Sequence, residues 1–377
     1  MVYMNAKERM LNAYRGKEWD TVPVAPEFWF YYPAKVLGVT VAEFQREYPH
    51  WFGMKKCFEK YGCEGWGIAG ASQNHPDIHV ESDYQRIAEH SYRETQRLHY
   101  GEKTYERTNL YTDDIPFWIE EPPVKNAGEL NHFLSVSLSE KMEFDFKDAV
   151  HAYNEVGNAF LLEFDLGLSF FDYFEDIMGF EEAALFFMRE EEAVIQKYFD
   201  QYTAHKLALL NGAVQNAPYE SYYIGCSSSC LALLGADLWR KWDKPYEKIM
   251  TDACHKHGKL VHNHNHGKCM AIVPDFVEIG FDCVCPFERD PGDVNGVEGL
   301  RKVKELLDDK VTFNGNVHTV KALINGTPQM VRQQVREIKE VFHGSSWRYI
   351  IGTGDQVGAE TPEENLYAMI EEARLDI

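Results

Sequence analysis

The feature that most constrains the fold is a regular alternation of strand-like and helix-like segments from about residue 150 onward. Short apolar runs typical of buried strands lie at 159–164, 222–225, 259–264, 282–288, 311–317 and 348–354. Segments with helical spacing of apolar residues lie at 181–210, 236–257, 271–279, 298–307, 328–342 and 362–375. Strands that alternate with helices indicate βα units and a parallel sheet. With this many units in 377 residues, we predict an α/β fold, a (β/α)8 barrel, in preference to a doubly wound sheet.

The first part of the chain has a different character. Residues 1–150 are rich in aromatic side chains and lack a regular pattern, so we expect an irregular, partly helical N-terminal extension that includes the first strands. No linker or repeat separates it from the regular units at 151–377, and the prediction is one domain over 1–377. Thr327 and Thr361 each precede a proline and are predicted to begin helices, with Thr361 and Glu364 forming a capping box.

Charge and composition exclude several classes of partner. Basic residues number 38 and acidic residues 60, so the net charge is −22. Such a charge repels nucleic acids and anionic membrane surfaces, and we expect neither as a partner. No apolar stretch reaches the roughly 18 residues of a membrane span, and the first residues do not resemble a signal peptide. With eight scattered cysteines expected to be reduced, the prediction is a cytoplasmic protein.

Three histidines alternate within one predicted strand, at His262, His264 and His266. Residues two apart on a strand share a face, so these imidazoles are expected to line one side of it. Neutral imidazole is the commonest metal ligand, and histidine is the side chain that titrates near neutrality. The pattern therefore predicts a metal or proton-transfer site.

Active sites of (β/α)8 barrels lie where the strands end at their carboxyl side. The residues found at such positions are His264, His266, Glu288, Asn314, Asn316, His318 and Asp355. Two imidazoles with a carboxylate from Glu288 or Asp355 would form a three-ligand site with an open position, which suits catalytic zinc. The same set also suits non-haem iron, so the ligand types leave the metal open.

Other side chains are candidates for contact with a substrate. Glu163 and Asp165 follow one apolar run, and Tyr223 ends another, so all three could face the same opening. The aromatic N-terminal segments, which include Trp29 and Tyr31, could cover the opening and hold a flat apolar substrate. An ordinary structural role remains the alternative for each of them. Nucleotide-binding and serine-hydrolase motifs do not occur.

Several segments, taken in order, resemble the uroporphyrinogen decarboxylase superfamily, which includes corrinoid- and zinc-dependent methyltransferases. They are an opening helix with an Asp-x-Val-Pro strand entry at 7–23, and the segments 237–246, 264–267, 272–282, 315–319, 326–328 and 361–365. The resemblance implies a (β/α)8 barrel. Decarboxylase members hold the porphyrinogen carboxylates with an N-terminal Arg-Gln-Ala-Gly-Arg segment, whereas the matching residues 25–32 contain no arginine. A polycarboxylate would be left unpaired there, which favours the methyltransferase branch.

In the methyltransferase branch, zinc is bound by a histidine, a cysteine two residues later, and a distant cysteine. The matching positions here are His264, His266 and Asp355, so both cysteines are replaced by other competent ligands. Nitrogen and oxygen ligands leave the metal a stronger Lewis acid than thiolates would. His262 lies one step deeper in the strand and is expected to support the site without binding the metal.

The resemblance therefore implies a metal-dependent methyltransferase that moves a methyl group between a small substrate and a corrinoid protein. Zn²⁺ or another divalent metal would be held by His264, His266 and Asp355. Glu288 would be a fourth ligand or a general base, and His318 a second catalytic residue. The corrinoid would be supplied by a partner protein, and a homodimer is left open. The alternatives are a decarboxylase of the same superfamily acting on a small non-porphyrin substrate, and a metal-dependent hydrolase or lyase.

Overall fold

The computed structural model describes residues 3–344 and 346–376. Its strands are β1 Val24–Ala25, β2 Trp66–Ala69, β3 Ser72–Asn74, β4 Ile78–Ala88, β5 Ser91–Tyr100, β6 Lys103–Thr112, β7 Trp118–Glu121, β8 Glu143–Asp145, β9 Leu161–Leu168, β10 Ser221–Cys226, β11 Leu260–Asn265, β12 Cys283–Pro286, β13 Thr312–Val317 and β14 Tyr349–Thr353. Its α-helices are α1 Ala6–Arg15, α2 Tyr31–Leu37, α3 Val41–Glu47, α4 His50–Tyr61, α5 Ala127–Ser137, α6 Lys147–Val156, α7 Phe170–Met178, α8 Phe180–Arg189, α9 Glu192–Asn216, α10 Ala236–Leu238, α11 Lys244–Lys256, α12 Val273–Ile279, α13 Gly296–Leu307, α14 Pro328–Phe342 and α15 Glu363–Arg374. Two π-helical segments, Trp239–Asp243 and Thr319–Ile324, complete the elements.

Eight parallel strands form one curled sheet at the centre of the molecule, in the order β2-β9-β10-β11-β12-β13-β14-β1. The order follows the sequence from β9 to β14, with helical connections between successive strands, as parallel pairing requires. Within the described residues no ladder joins β1 directly to β2. The predicted α/β class and parallel sheet are confirmed.

The strands of this sheet are buried on both faces, which explains why the sequence shows continuous apolar runs. Every residue of β10, β12, β13 and β14 is buried. Parallel strands covered by helices on one side and by packed side chains on the other need apolar residues at successive positions. Inside the curl, Met10 and Tyr14 of α1 pack with Trp66, Tyr223 and Cys285. Helix α1 therefore closes the end of the sheet where the strands begin.

Two helix predictions need correction. The predicted helix at 181–210 is two helices, α8 and α9, because Glu190 and Glu191 between them have extended backbone conformations. Thr327 does cap α14, since its side chain accepts a hydrogen bond from the Met330 amide at 3.4 Å. Thr361 forms no capping box, because α15 starts at Glu363 with Pro362 as its N-cap residue.

The N-terminal part is more regular than the sequence suggested. Strands β4 to β7 form a four-stranded antiparallel sheet, and β3 pairs with β8. Strand β4 exposes side chains on both faces, and Ser82 and Arg86 interrupt the alternation of apolar and polar residues that begins at Ile78. This inserted sheet lies between β2 and β9 in the chain, and its Tyr100 and Tyr105 pack against Phe133 of α5.

Two further properties concern the whole chain. No helix in the described ranges is both long and apolar enough to cross a membrane. All eight cysteines are buried free thiols.

Candidate active site

The alternating histidines lie on the inner face of β11 and at its carboxyl end. His262 and His264 are 0% and 5% exposed, and His266 follows the last residue of the strand. The Nε2 atoms of His264 and His266 are 2.7 Å apart. Two imidazoles therefore meet where the strand ends, and His262 and His264 share one face of β11, as their spacing predicts.

A line of contacts connects these histidines to the interior of the sheet. Glu163 accepts hydrogen bonds from Ser221 Oγ at 2.6 Å and from His262 Nδ1 at 2.7 Å. The Cys285 Sγ atom lies between the two deeper histidines, 3.0 Å from His262 Nε2 and 2.9 Å from His264 Nδ1. Each imidazole is thus fixed in orientation by a neighbour.

Glu288, which follows β12, holds His266. Its Oε1 atom accepts hydrogen bonds from His266 Nδ1 at 2.8 Å and from the Gly267 amide at 2.7 Å. Burial opposes a charge on His266, but Glu288, Glu27 and Asp355 outweigh burial and raise its pKa to about 9. Burial and the neighbouring histidines hold the pKa of His264 well below its usual range. The pair therefore consists of a protonated His266 beside a neutral His264.

Two carboxyl groups that follow other strands lie near His266 and affect its pKa. Asp355 follows β14 and was predicted; burial raises its pKa, and its Oδ1 atom accepts the Gln356 amide at 2.6 Å. Glu27 follows β1 and was missed by the sequence analysis. It is 6% exposed, its carboxyl group has no hydrogen-bond partner among the described residues, and burial together with Asp355 raises its pKa to about 8.

These groups line a cavity of about 370 Å³ at the carboxyl ends of the strands. The walls also include three residues predicted to contact substrate, Trp29, Asp165 and Tyr223. Asp165 Oδ1 accepts the Gly167 amide at 2.7 Å, and burial raises the pKa of the Asp165 carboxyl. Among the described residues that form this pocket there is no lysine or arginine. The pocket is thus acidic on one wall and aromatic on another.

Glu288 holds His266 without lining this pocket itself, and several other predicted residues do not line it either. Glu163 is completely buried below it and bonded to Ser221 and His262, so contact with a substrate is not supported. Asn316 uses its amide to bond the carbonyls of Phe287 and Val294, which is a structural role. His318 Nδ1 accepts the Lys321 amide on the π-helical segment beyond β13. Burial and, after it, the charge of Asp355 raise the pKa of Tyr31, but Tyr31 does not line the cavity.

The residue types in this pocket are suitable ligands for a divalent metal, but the described side chains are not placed around a single point that could hold one. Across residues 3–344 and 346–376, no three His, Cys, Asp or Glu side chains lie close enough to hold a metal ion. Two imidazole nitrogens nevertheless converge, and both are oriented through their other nitrogen, as metal-binding histidines are. The buried carboxyl of Glu27 has no hydrogen-bond partner in the described ranges, and Asp355 adds a second carboxylate.

Comparison with known proteins agrees with this architecture. A family model described as uroporphyrinogen decarboxylase (URO-D) matches residues 176–375. A solved methyltransferase from Methanosarcina mazei matches with a TM-score of 0.65 and 16% identity, over 98% of each chain, so the two share a fold. An intracellular xylanase from Thermoanaerobacterium saccharolyticum matches with a TM-score of only 0.36 and 10% identity, over 59% of this chain and 73% of that one. No curated protein sequence matches.

The family match covers more than half of the chain and includes β10 to β14, together with His264, His266, Glu288 and Asp355. The resemblance inferred from the sequence is therefore confirmed. The chain belongs to the uroporphyrinogen decarboxylase family.

Proposed function

We propose that this protein is a metal-dependent methyltransferase that moves a methyl group between a small substrate and a corrinoid protein. The observation that carries the proposal is the pair of Nε2 atoms of His264 and His266, 2.7 Å apart at the end of β11. Both histidines occupy positions that matched metal ligands in the family resemblance, and both face an acidic pocket.

His264, His266 and Asp355 would hold the metal, with Glu27 as a fourth donor. Glu288 is then a support and not a ligand, since its Oε1 atom is already bonded to His266 and Gly267. When bound, a cation with nitrogen and oxygen ligands supplies Lewis acidity toward an oxygen or thiol of the substrate.

The remaining residues of the pocket bind and orient the substrate. Trp29 and Tyr223 provide aromatic walls that exclude water. Asp165 keeps one carboxyl oxygen on the Gly167 amide and leaves the other for a substrate hydrogen bond. The absence of lysine and arginine from the described residues of the lining disfavours a polycarboxylate such as a porphyrinogen.

The proposal includes a closed (β/α)8 barrel, in which β1 and β2 lie side by side. Two contacts support closure. The Glu64 carboxylate, just before β2, accepts a hydrogen bond from the Val24 amide of β1 at 2.9 Å. Side chains from both strands, Ala25 and Trp66, belong to the same interior cluster. The open carboxyl end of such a barrel would admit the methyl group from a docked corrinoid protein.

The metal content of the purified full chain tests this proposal. We expect stoichiometric Zn²⁺ after incubation with the metal, and loss of it in the double variant His264→Ala with His266→Ala. His318→Ala is the matched control, because His318 lies outside the pocket, and it should keep its metal. Failure of the wild type to take up a divalent metal would overturn the proposal. The spectrum of cob(I)alamin mixed with methylated donors then reports whether methyl transfer occurs.

A decarboxylase acting on a small, non-porphyrin substrate is the second candidate. It is favoured by His266, whose pKa is raised to about 9 inside a buried pocket. An imidazolium there could give a proton to a carbanion after loss of CO₂. Release of CO₂ by the metal-free protein, abolished by His266→Ala, would support this candidate over methyl transfer.

A further inference from the structure

A second cavity lies between the inserted sheet and helices α5, α7 and α9, apart from the pocket at the strand ends. Its volume is about 330 Å³, at the lower end of the range of small-molecule sites. Apolar side chains from the sheet and from the helices form much of its wall, among them Ile78, Leu98, Phe133, Leu138 and Ile177. An apolar segment of a ligand would therefore be shielded from water there.

A buried cation also lines this cavity. Lys206 on α9 is 8% exposed, and its Nζ atom donates one hydrogen bond, to the Leu166 carbonyl at 2.7 Å. Lys206 forms no ion pair within the part of the chain that the structure describes. Burial lowers the pKa of Lys206 to about 8, and the opposing charge is that of Asp165, which faces the barrel pocket. A buried ammonium with unused N–H groups and no bonded counter-charge is costly, so an anion in the cavity would complete it.

The neighbouring residues indicate which anion fits. His205 is also 8% exposed and lines the cavity, and its ring nitrogens have no hydrogen-bond partner among the described residues. Burial and the nearby Lys206 lower the pKa of His205 to about 4, so it is a neutral donor. Arg107 adds no free charge, because its two Nη atoms are bonded to Asp176 at 3.0 and 3.1 Å. One positive charge is therefore available, which matches a monoanion better than a phosphate dianion.

We propose that this cavity binds a small amphipathic monocarboxylate, with the carboxylate at Lys206 and His205 and the hydrocarbon chain against the apolar wall. The site is separate from the proposed methyl-transfer pocket and does not depend on that function.

The two sites share one strand end. Gly167 has φ +85°, and a Cβ there would lie 2.6 Å from Lys206 Nζ, so only glycine allows the ammonium to pack against this backbone. Gly167 also lines the barrel pocket. Lys206 supports the end of β9 through its hydrogen bond to the Leu166 carbonyl, so a ligand bound to Lys206 is coupled to this part of the strand. We expect slower hydrogen exchange at residues 166–168 when the cavity is filled.

Calorimetric titration of the full chain with octanoate tests the proposal. We expect saturable binding of one octanoate. The affinities of 1-octanol, acetate and inorganic phosphate should all be at least about tenfold weaker. 1-Octanol lacks the negative charge, acetate lacks the hydrocarbon chain, and phosphate is a dianion beside a single positive charge. Lys206→Met should weaken octanoate at least about tenfold while leaving the weak 1-octanol binding unchanged. Leu138→Phe keeps every charge and narrows the cavity, so it should weaken octanoate too if Lys206→Met does not fold.

Lys339→Met is the matched control. Lys339 is also buried, 3% exposed, and donates to the Glu372 and Leu375 carbonyls away from the cavity. This variant should bind octanoate like the wild type. No binding of octanoate, equal binding by the wild type and both cavity variants, or phosphate binding as tightly as octanoate would each overturn the proposal.

Discussion

At the scale of single residues, His266 is the group most strongly shaped by its surroundings. Glu288, Glu27 and Asp355 reach it from the ends of three different strands and together outweigh the effect of burial. The raised pKa, about 9 against 6.5 for an unperturbed histidine, means that the folded protein binds an extra proton between these values. The resulting stabilisation is complete below pH 6.5 and is lost as the pH rises through 9.

Glu288→Gln tests this arrangement in the metal-free protein. The amide removes the closest negative charge, so the pKa of His266 should fall toward 6.5. The variant should also lose the decrease in stability between pH 6.5 and 9, which amounts to at most about 3 kcal/mol. An NMR titration of the His266 ring and urea unfolding at several pH values measure the two effects. An unchanged His266 titration would contradict the role given to Glu288.

The sequence predicted some of these residues and missed others for a physical reason. His264 lies near the end of a strand with a strong apolar pattern, and His266, Glu288 and Asp355 follow such strands, so the rule about strand ends found them. Glu27 was missed because β1 is only two residues long, Val24–Ala25, and gives no such pattern. Glu163 was misplaced for the opposite reason. Strand β9 continues to Leu168, so Glu163 lies inside the strand and faces the interior.

At the scale of elements, helix α7 fixes the loop that follows β10. Asp172 accepts hydrogen bonds from the backbone amides of Ser227, Ser228 and Ser229. Ser227 in turn lines the barrel pocket. One buried side chain of a helix therefore sets the position of part of the pocket wall.

Asp172→Asn should loosen this loop. The amide nitrogen cannot accept, so at least one backbone N–H of the loop loses its partner, at a cost of about 1–3 kcal/mol. Hydrogen exchange at 227–229 should become faster, and the free energy of unfolding in urea should decrease. Asp200→Asn, at an exposed position of α9, is the control and should change neither quantity. Wild-type exchange rates in Asp172→Asn would refute this role.

Strands and helices were predictable from the sequence where the apolar periodicity agrees with the residues that mark the start or end of an element. The strands from β9 to β14 were located within a few residues, and α14 starts at Pro328 as its Thr-Pro signal predicts. The inserted sheet was missed because β4 exposes side chains on both faces. One local feature of the sequence does indicate this sheet. Gly101 and Glu102 form a two-residue loop between β5 and β6, of the kind that joins the strands of a hairpin.

At the scale of the whole molecule, a buried ion pair bridges the gap in the sheet between β1 and β2. Glu64 is 2% exposed, accepts the Val24 amide and pairs with Arg9 of α1. A carboxylate thus stands where a strand ladder would otherwise join the two strands. The sequence predicts eight strands but gives no indication that Glu64 takes the place of a ladder between β1 and β2, because its contacts join residues far apart in the chain.

Glu64→Gln should strongly destabilise the protein. It leaves the buried Arg9 with one fewer counter-charge, and breaking a buried pair costs about 3–5 kcal/mol. Glu363→Gln is the control, because the Glu363 pair with Lys60 is exposed and such pairs contribute about 1 kcal/mol or less. Urea unfolding measures both variants. A loss for Glu64→Gln no larger than that of the control would show that Glu64 does not hold the two strands together.

The hydrogen bonds below the pocket, from Glu163 through His262 and Cys285 to His264, all run in one donor-to-acceptor direction. Glu163 accepts the hydrogen bond of His262, so the hydrogen of this imidazole is on Nδ1 and its Nε2 is left to accept. Burial keeps the Cys285 pKa well above its usual range, so the thiol retains its hydrogen and donates it to His262 Nε2. The sulfur then accepts from His264 Nδ1, and the lone pair of His264 is left on Nε2. A carboxylate sealed in the interior thereby selects the tautomer of an imidazole at the opening, two hydrogen-bonded groups away.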